Sequence, residues 1–210
     1  MSITLYAATR PSSATPVQQA LIELGTPHEL KLLDLEAGEQ QRPELLALNP
    51  NGLVPTMVVD GSPLFEGLAI LQYLGDAYGV ERGLWPATNT PAHLLARSWT
   101  TWAYAHLQWA LRIMIVSSHP MCPAELHHPP LTAHARELQM DRLGALEALL
   151  AEHDYVLGDD YSLVDLTIAS VLGWGMSMGA TIDGLPKVAA WMKRCTERPS
   201  HREVYGTPPA

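Results

Sequence analysis

A change in the hydrophobic pattern close to residue 80 restricts the possible folds of this chain more than any other feature of its sequence. Before that point, short apolar or β-branched runs and helical patterns follow one another in the order β-α-β-α-β-β-α. Residues 79–91 then contain two glycines, two prolines and a Trp-Pro step, which is the composition of a linker. All later patterns are helical. The sequence therefore predicts an α/β domain at residues 1–80, a linker at 81–90 and an all-helical domain at 91–210.

The individual elements follow from periodicity and from turn residues. Strands are predicted at residues 3–6, 28–33, 56–59 and 63–65, and helices at 17–24, 43–48, 68–78, 92–116, 131–152, 163–178 and 186–197. Asp60-Gly61 is a strong hairpin dipeptide between the last two strands. The apolar run 163–178 is expected to be the buried helix of its domain, with Ser162 and Asp165 as an N-terminal capping box.

The composition indicates a folded soluble protein and argues against several classes of function. Of the 210 residues, 47% are apolar, and the net charge is −9. An acidic chain is a poor partner for nucleic acid or for an anionic membrane surface. No apolar run approaches the roughly 18 residues needed to span a bilayer, and the N-terminus has no apolar signal core. We therefore expect a cytoplasmic protein with no nucleic-acid or membrane partner.

Neither the cysteines nor the histidines predict a metal or redox centre. The two cysteines, Cys122 and Cys195, form no CxxC pair and no disulfide framework. His119, His127 and His128 stand close to Cys122, but their spacing matches no zinc pattern and the surrounding prolines indicate a loop. We therefore expect no metal.

The stretch NGLVPTMVVDG, residues 51–61, is unusual because Pro55 stands at the mouth of a predicted strand and has no N–H for the sheet. One interpretation is that Pro55 simply starts an edge strand. The other is that the Val54-Pro55 bond is cis, so that the N–H and C=O of Val54 face outward and pair with a peptide-like ligand. Because only about 5–6% of X–Pro bonds in folded proteins are cis, the local sequence alone favours the first interpretation.

Two longer segments carry a resemblance to a known family. ALNPNGLVPTMVVDGSPLFEGLAILQYLGDAYG, residues 47–79, has an Asn-Pro turn, the Val-Pro step, a hairpin and an acidic residue that opens a helix. YSLVDLTIAS, residues 161–170, has the capping box ahead of an apolar run. Together with the element order, they resemble the soluble, cytosolic-type bacterial glutathione S-transferase family over nearly the whole chain. The resemblance implies the glutathione transferase fold, α/β plus all-α, with an N-terminal thioredoxin-like domain followed by an all-helical C-terminal domain, and a homodimer.

The resemblance also implies which residues bind glutathione. In this family the Val-Pro bond is cis, so Val54 and Pro55 are expected to present the Val54 backbone to the cysteinyl part of glutathione. Glu66 is expected to bind the ammonium group of the γ-glutamyl end, and the N–H of Gly67 its carboxylate. The alternative for Glu66 is that its carboxylate only complements the dipole of the helix that follows.

Recognition of the glycyl carboxylate departs from the family pattern. Family members often carry lysine, arginine or glutamine directly before the Val-Pro step, where this chain has Leu53, which forms no salt bridge. Leu53 is still expected to border the ligand, and Gln41, or its neighbours Gln40 and Arg42, could supply a polar contact from the facing loop. The alternative is that these three are solvated turn residues.

Ser12 and Ser13 are the candidate catalytic residues. A free thiol has a pKa of about 8.5, and a hydroxyl donor beside the first N–H groups of a helix would favour its thiolate form. Both serines precede the first predicted helix, and counting back from that helix does not choose between them. The alternative is that Ser12, Ser13 or Thr15 only caps the helix, with Pro16 just inside it. This loop has no cysteine, which excludes dithiol chemistry there, and Tyr6 is predicted as a strand residue.

Trp102, His106 and Trp109 recur at helical spacing in the long helix after the linker. We expect them to line a pocket for the electrophile, although such a stripe also suits a core or a dimer contact. The resemblance then implies an enzyme that conjugates glutathione, as co-substrate, to a small apolar electrophile. Two alternatives remain open: a glutathione-dependent isomerase of maleyl-type substrates, and a non-catalytic protein that binds glutathione or apolar molecules.

Overall fold

The chain divides into two compact units in a computed structural model that describes residues 2–206. The first unit runs to Thr88 and resumes at Glu197, and the second is Asn89–Thr196. The first is an α/β unit and the second is all-helical, as the sequence predicts. The boundaries differ from the predicted ones, because most of the linker predicted at 81–90 lies in the first unit. Residues 197–206 also belong to the first unit and not to the helical one.

A four-stranded mixed sheet organises the first unit. Its strands are β1 (Ile3–Ala8), β2 (Glu29–Leu33), β3 (Thr56–Val59) and β4 (Ser62–Phe65), in the order β2-β1-β3-β4. Its helices are α1 (Thr15–Glu23), α2 (Pro43–Leu46), α3 (Gly67–Leu74) and α9 (Pro199–Tyr205), with a π turn at Gly75–Gly79. β1 and β2 are parallel, and the other pairs are antiparallel. The predicted thioredoxin-like arrangement is confirmed.

The register of the sheet defines the edge at which functional groups can gather. Thr56, the first residue of β3, pairs with both Tyr6 of β1 and Phe65 of β4. Ala8, the last residue of β1, pairs with Leu33, the last residue of β2. The start of β3 therefore lies beside the ends of the other three strands. The segments that precede β3 and follow β1, β2 and β4 all emerge at this edge.

The Trp85 side chain packs directly against two glycines, Gly75 and Gly79, in the core of the first unit. The side chain is 3% exposed, and its indole Nε1 donates to Asp76 Oδ1 at 2.7 Å. A Cβ at Gly75 or Gly79 would lie 2.4 or 2.6 Å from Trp85 side-chain atoms, so neither position has room for a side chain. Trp85, which the sequence suggested was part of a linker, is thus a core residue of this unit.

The C-terminal helix α9 is attached to α1 through a partly buried ion pair. Arg198 donates from Nε and Nη2 to the two oxygens of Glu23 on α1, at 2.6 Å each. The Ser200 hydroxyl donates to Glu23 Oε1 at 2.5 Å, and Gln19 Nε2 donates to Ser200 Oγ at 3.3 Å. This set of contacts, the Glu23 clamp, explains why the end of the chain does not follow the predicted domain boundary. Arg198 and Glu23 are 175 residues apart, a separation that no local pattern signals.

Replacing Arg198 with alanine is expected to lower the free energy of unfolding by about 1–3 kcal/mol at neutral pH, because a largely buried carboxylate loses two charged hydrogen bonds. Burial raises the pKa of Glu23, but hydrogen bonds from Arg198 and Ser200 and the Arg198 charge outweigh it, so the pKa lies below its ordinary value of 4.5. A lowered pKa stabilises the fold above the unfolded pKa, and the effect fades as pH falls through the folded value. The difference between the two proteins should therefore shrink below about pH 4.5.

The measurement is urea unfolding of both proteins at a series of pH values. Arg202→Ala, an exposed arginine on the same helix, is the matched control and should change stability by less than about 0.5 kcal/mol. An equal loss at acid and at neutral pH, or an equal loss in the control, would contradict the role given to the Glu23 clamp.

The second unit is a bundle whose helices are α4 (Pro91–Trp102), α5 (Gln108–Val116), α6 (Pro129–Glu152), α7 (Leu163–Ser177) and α8 (Pro186–Thr196). A π turn at Ala103–Leu107 interrupts the single helix predicted at 92–116. α7 is buried along most of its length, and the Ser162–Asp165 capping box is present, as predicted. Within residues 2–206, none of the helices combines the length and the apolar character that a bilayer crossing requires.

Candidate functional site

The edge of the sheet collects the loop before α1, the Val54-Pro55 step before β3 and the residue that opens α3 after β4. The Val54-Pro55 bond is cis, as the resemblance implies and against the preference of the local sequence. Val54 is half-buried, so it keeps some contact with solvent. Most of the residues predicted to bind glutathione therefore lie together at this edge of the sheet.

Ser13 and Val54 are joined by a direct hydrogen bond. The Ser13 hydroxyl donates to the Val54 carbonyl oxygen at 2.7 Å, although the two residues are 41 positions apart. Ser13 itself is exposed. The contact fixes this serine next to the backbone that the resemblance pairs with a cysteinyl group.

Ser12 has a different set of contacts. Its Oγ accepts from the N–H of Ala14 at 3.2 Å, and its own N–H donates to Thr15 Oγ1 at 2.8 Å. Both bonds lie in the turn before α1, whose N-cap residue, Ala14, offers no capping side chain. Ser12 and Thr15 therefore shape the turn, and Pro16 lies in the first helical turn as expected.

Glu66 has an unusual backbone conformation. Its φ is 71° and its ψ 116°, directly before Gly67, the buried first residue of α3. Few residues other than glycine adopt a positive φ, and such strain is found most often at ligand sites. The Glu66 side chain makes no capping bond to α3, so capping does not account for the conformation. The first N–H groups of α3 and this carboxylate stand at the same edge as Val54.

Gln41 contacts the backbone just before the Val54-Pro55 bond, next to Leu53. Gln41 Nε2 donates to the carbonyl oxygen of Gly52 at 3.0 Å. The amide fits against Gly52 so closely that a Cβ there would lie 2.4 Å from it, and Gly52 has a φ of +59°. Leu53 follows with 61% of its surface exposed. The segment around Gln41 is thus attached to the chain just before the Val54-Pro55 step.

Asn49 and Thr56 support this segment, and the sequence reasoning did not single them out. Asn49 is 3% exposed, and its Nδ2 donates to Leu53 O and to Thr56 Oγ1, both at 3.0 Å. The Thr56 hydroxyl also donates to Leu53 O at 3.0 Å. The Asn49-Pro50 turn was the one local signal that could have pointed to them.

The residues expected to contact an electrophile are only partly brought together. Trp102 and His106 border an open depression of about 380 Å³ in the second unit, with Arg97, Ser98 and Thr101. Trp109 does not line it and is 56% exposed. The π turn at Ala103–Leu107 explains this difference, because a wider turn changes the helical register between Trp102 and Trp109. Apart from Trp102, the side chains that line the depression are polar or charged.

The histidines between α5 and α6 are engaged in loop contacts. His119 Nδ1 accepts from the N–H of Met121 at 3.2 Å, and His127 Nε2 lies 3.1 Å from the His119 carbonyl oxygen. His128 caps α6 by accepting from the N–H of Leu131 at 3.1 Å. Over residues 2–206, no three histidine, cysteine, aspartate or glutamate side chains form a group that could hold a metal ion.

Comparisons with known proteins agree with this arrangement. The sequence model of the glutathione S-transferase N-terminal domain matches residues 1–76, and that of the C-terminal domain matches residues 109–199. Glutathione S-transferase GstB of Escherichia coli K12 is 33% identical over 98% of this chain and 99% of its own length. A glutathione transferase homologue from Sulfitobacter, solved with bound glutathione, is 27% identical with a TM-score of 0.78, over 97% of this chain and 96% of its own. Glutathione transferase URE2P6 of Phanerochaete chrysosporium, solved with oxidized glutathione, has the same fold, with a TM-score of 0.83 at 24% identity over 97% and 94% of the two chains.

Proposed function

Because this chain belongs to the glutathione S-transferase family, we propose that it conjugates glutathione to a small apolar electrophile and that Ser13 stabilises the attacking thiolate. The thiol proton passes to solvent, and the sulfur then forms a bond to the electrophilic carbon. The leaving group departs with its bonding electron pair, so the step needs no oxidant or metal. Trp102 and His106 are the proposed electrophile contacts, since the Trp102 ring offers an aromatic face to apolar carbon atoms.

The observation that carries the role of Ser13 is its 2.7 Å hydrogen bond to the Val54 carbonyl oxygen. A tripeptide that pairs its cysteinyl N–H with this oxygen would compete with the serine for it. The hydroxyl hydrogen of Ser13 would then be free to turn toward the cysteinyl sulfur. Ser12 is the weaker choice, because the bond that its Oγ accepts from the Ala14 N–H positions it within the turn before α1, whereas Ser13 contacts Val54 directly.

The size of the effect follows from the strength of a hydrogen bond to an anion. Such a bond contributes about 1.5–3 kcal/mol, and each pKa unit corresponds to about 1.4 kcal/mol. One hydroxyl donor therefore lowers the pKa of a thiol by about 1–2 units from its free value of about 8.5. Removing the donor should raise the pKa of the bound thiol by the same amount.

The test is the thiolate absorbance of bound glutathione as a function of pH. We expect a thiol pKa well below 8.5 in the native protein and a rise of about 1–2 units in Ser13→Ala. Ser62→Ala, an exposed serine at the start of β4, is the control and should leave the pKa unchanged. A rise in Ser12→Ala alone would transfer the role to Ser12. Bound glutathione with an unshifted pKa in the native protein would instead favour the non-catalytic binding protein.

We propose further that the protein works as a cytoplasmic homodimer, as the family resemblance implies. Leu94 and Leu95 at the start of α4 have 64% and 54% of their surface exposed. These two adjacent exposed leucines are the proposed contact with the second subunit, because large exposed apolar patches mark protein–protein interfaces.

A further inference from the structure

Building on the proposed function, we infer that the site reads the γ-glutamyl and cysteinyl parts of its thiol substrate but leaves the glycyl carboxylate without a charged partner. The protein should then accept γ-glutamylcysteinyl thiols whose glycyl carboxylate is masked nearly as well as glutathione. The inference rests on how the side chains around Leu53 are already bound.

The sheet fixes the direction in which a bound tripeptide would run. Glu66 follows β4, at one end of the strand order, and Val54 precedes the neighbouring strand β3. A tripeptide with its γ-glutamyl end at Glu66 and its cysteinyl group at Val54 continues away from β4. Its glycyl end therefore reaches Leu53 and the segment attached there by Gln41.

The candidate polar side chains of that segment already donate to groups of this chain. Gln40 Nε2 donates to the Leu35 carbonyl oxygen at 3.4 Å, and its buried Oε1 is an acceptor that cannot bind a carboxylate. Gln41 directs its amide N–H to Gly52 O, as described above. Arg42 Nη2 donates to Glu39 Oε1 at 2.6 Å, and Glu39 Oε2 accepts from the N–H of Asp34 at 2.8 Å. Glu39 binds the guanidinium of Arg42 and is itself held by the Asp34 N–H. A glycyl carboxylate would therefore have to compete with the Glu39 carboxylate for Arg42.

The surrounding charge also opposes an anion. The stretch from the end of β2 to the end of α2 has a single cation, Arg42, and four carboxylates: Asp34, Glu36, Glu39 and Glu44. Arg10, from the loop after β1, adds a second cation but pairs with Glu36 at 2.9 Å. Four negative charges against two positive ones leave a net charge of −2. A negatively charged neighbourhood disfavours binding of a further carboxylate.

Leu53 occupies the position nearest to the glycyl end and cannot compensate. Its carbonyl oxygen already accepts from Asn49 and Thr56, which hold the backbone in place. Its side chain is 61% exposed and has no polar atom. A cation at this position would contact the glycyl carboxylate directly. Because Leu53 has no charge, the site does not select for a thiol substrate with a free glycyl carboxylate.

The experiment compares glutathione with its glycyl monoethyl ester, which masks only this carboxylate. Conjugation kcat/KM and equilibrium binding are measured for both thiols, with the native protein and with Leu53→Lys. We expect the two thiols to differ by less than about 3-fold in the native protein. Leu53→Lys should improve glutathione about 5- to 10-fold and leave the ester unchanged, an effect that high salt reduces.

Leu32→Lys, which adds the same charge at an exposed leucine of β2, is the matched control and should alter neither ratio. A native protein that prefers glutathione over the ester by more than about 10-fold would overturn the inference. If neither thiol is conjugated, the proposed function fails, while the ratio of the two binding constants still tests the inference separately.

Discussion

Replacing Asp165 with alanine is expected to lower the free energy of unfolding by about 3–5 kcal/mol, because it leaves four buried donors without an acceptor. The residue is 0% exposed. Its Oδ1 accepts from the N–H of Val156 and from the Trp191 indole Nε1, and its Oδ2 from the N–H and the hydroxyl of Ser162, each at 2.9 Å. One carboxylate thus joins the start of α7 to α8 and to the segment after α6.

Burial and hydrogen bonding act in opposite directions on the pKa of Asp165. Burial raises the pKa of this carboxyl, while the bonds from Val156, Trp191 and Ser162 favour the charged form and oppose the rise. Alanine removes all four acceptor contacts at once. Trp191→Phe should be milder. Loss of its hydrogen bond should lower the free energy of unfolding by only about 1 kcal/mol, because the carboxylate keeps the other three donors.

Urea unfolding followed by circular dichroism measures these differences, with Asp160→Ala as the control. Asp160 is an exposed aspartate in the same segment, and its loss should change stability by less than about 0.5 kcal/mol. An Asp165→Ala protein within about 1 kcal/mol of that control would show that the carboxylate does not hold the bundle together.

Asp165 also shows which part of the fold could be predicted from sequence. The Ser162–Asp165 box was predictable because both residues lie within one helical turn. The bond from Trp191 spans 26 positions, and nothing in either local pattern points to it. The four strands, most of the helices and the apolar character of α7 follow from short-range periodicity in the same way, whereas α9 was not predicted. The boundary at Glu197 does not, because it depends on the ion pair between Glu23 and Arg198.

In the candidate site, too, residues in local motifs could be predicted from the sequence, whereas roles that depend on long-range contacts could not. Val54-Pro55 and Glu66 stand in local motifs that resemble those of the family, so their place in the ligand site could be predicted from the sequence. The choice between Ser12 and Ser13 depends on where a hydroxyl points, and that is determined by contacts such as the bond from Ser13 to Val54 across 41 positions. Trp109 was grouped with Trp102 because helical spacing was assumed throughout, and the intervening π turn breaks that spacing.

Replacing Glu66 with alanine is expected to weaken glutathione binding about 10- to 100-fold, because a charged hydrogen bond contributes about 1.5–3 kcal/mol. The proposed partner is the ammonium group of the γ-glutamyl end. Glu66→Gly should weaken binding by the same factor, since it also lacks the carboxylate. Equilibrium binding of glutathione measures both losses, and Glu81→Ala, an exposed acid elsewhere in the first unit, should bind normally.

The two replacements should nevertheless differ in stability. At a φ of 71° and a ψ of 116°, alanine keeps the backbone strain that glycine avoids. We expect Glu66→Gly to be more stable to urea than Glu66→Ala by about 1 kcal/mol. Binding that falls equally in both, while stability rises only with glycine, would show that Glu66 is retained for the ligand at the expense of the fold. Unchanged binding in both proteins would leave the strained conformation without a ligand to explain it and would remove Glu66 from the proposed site.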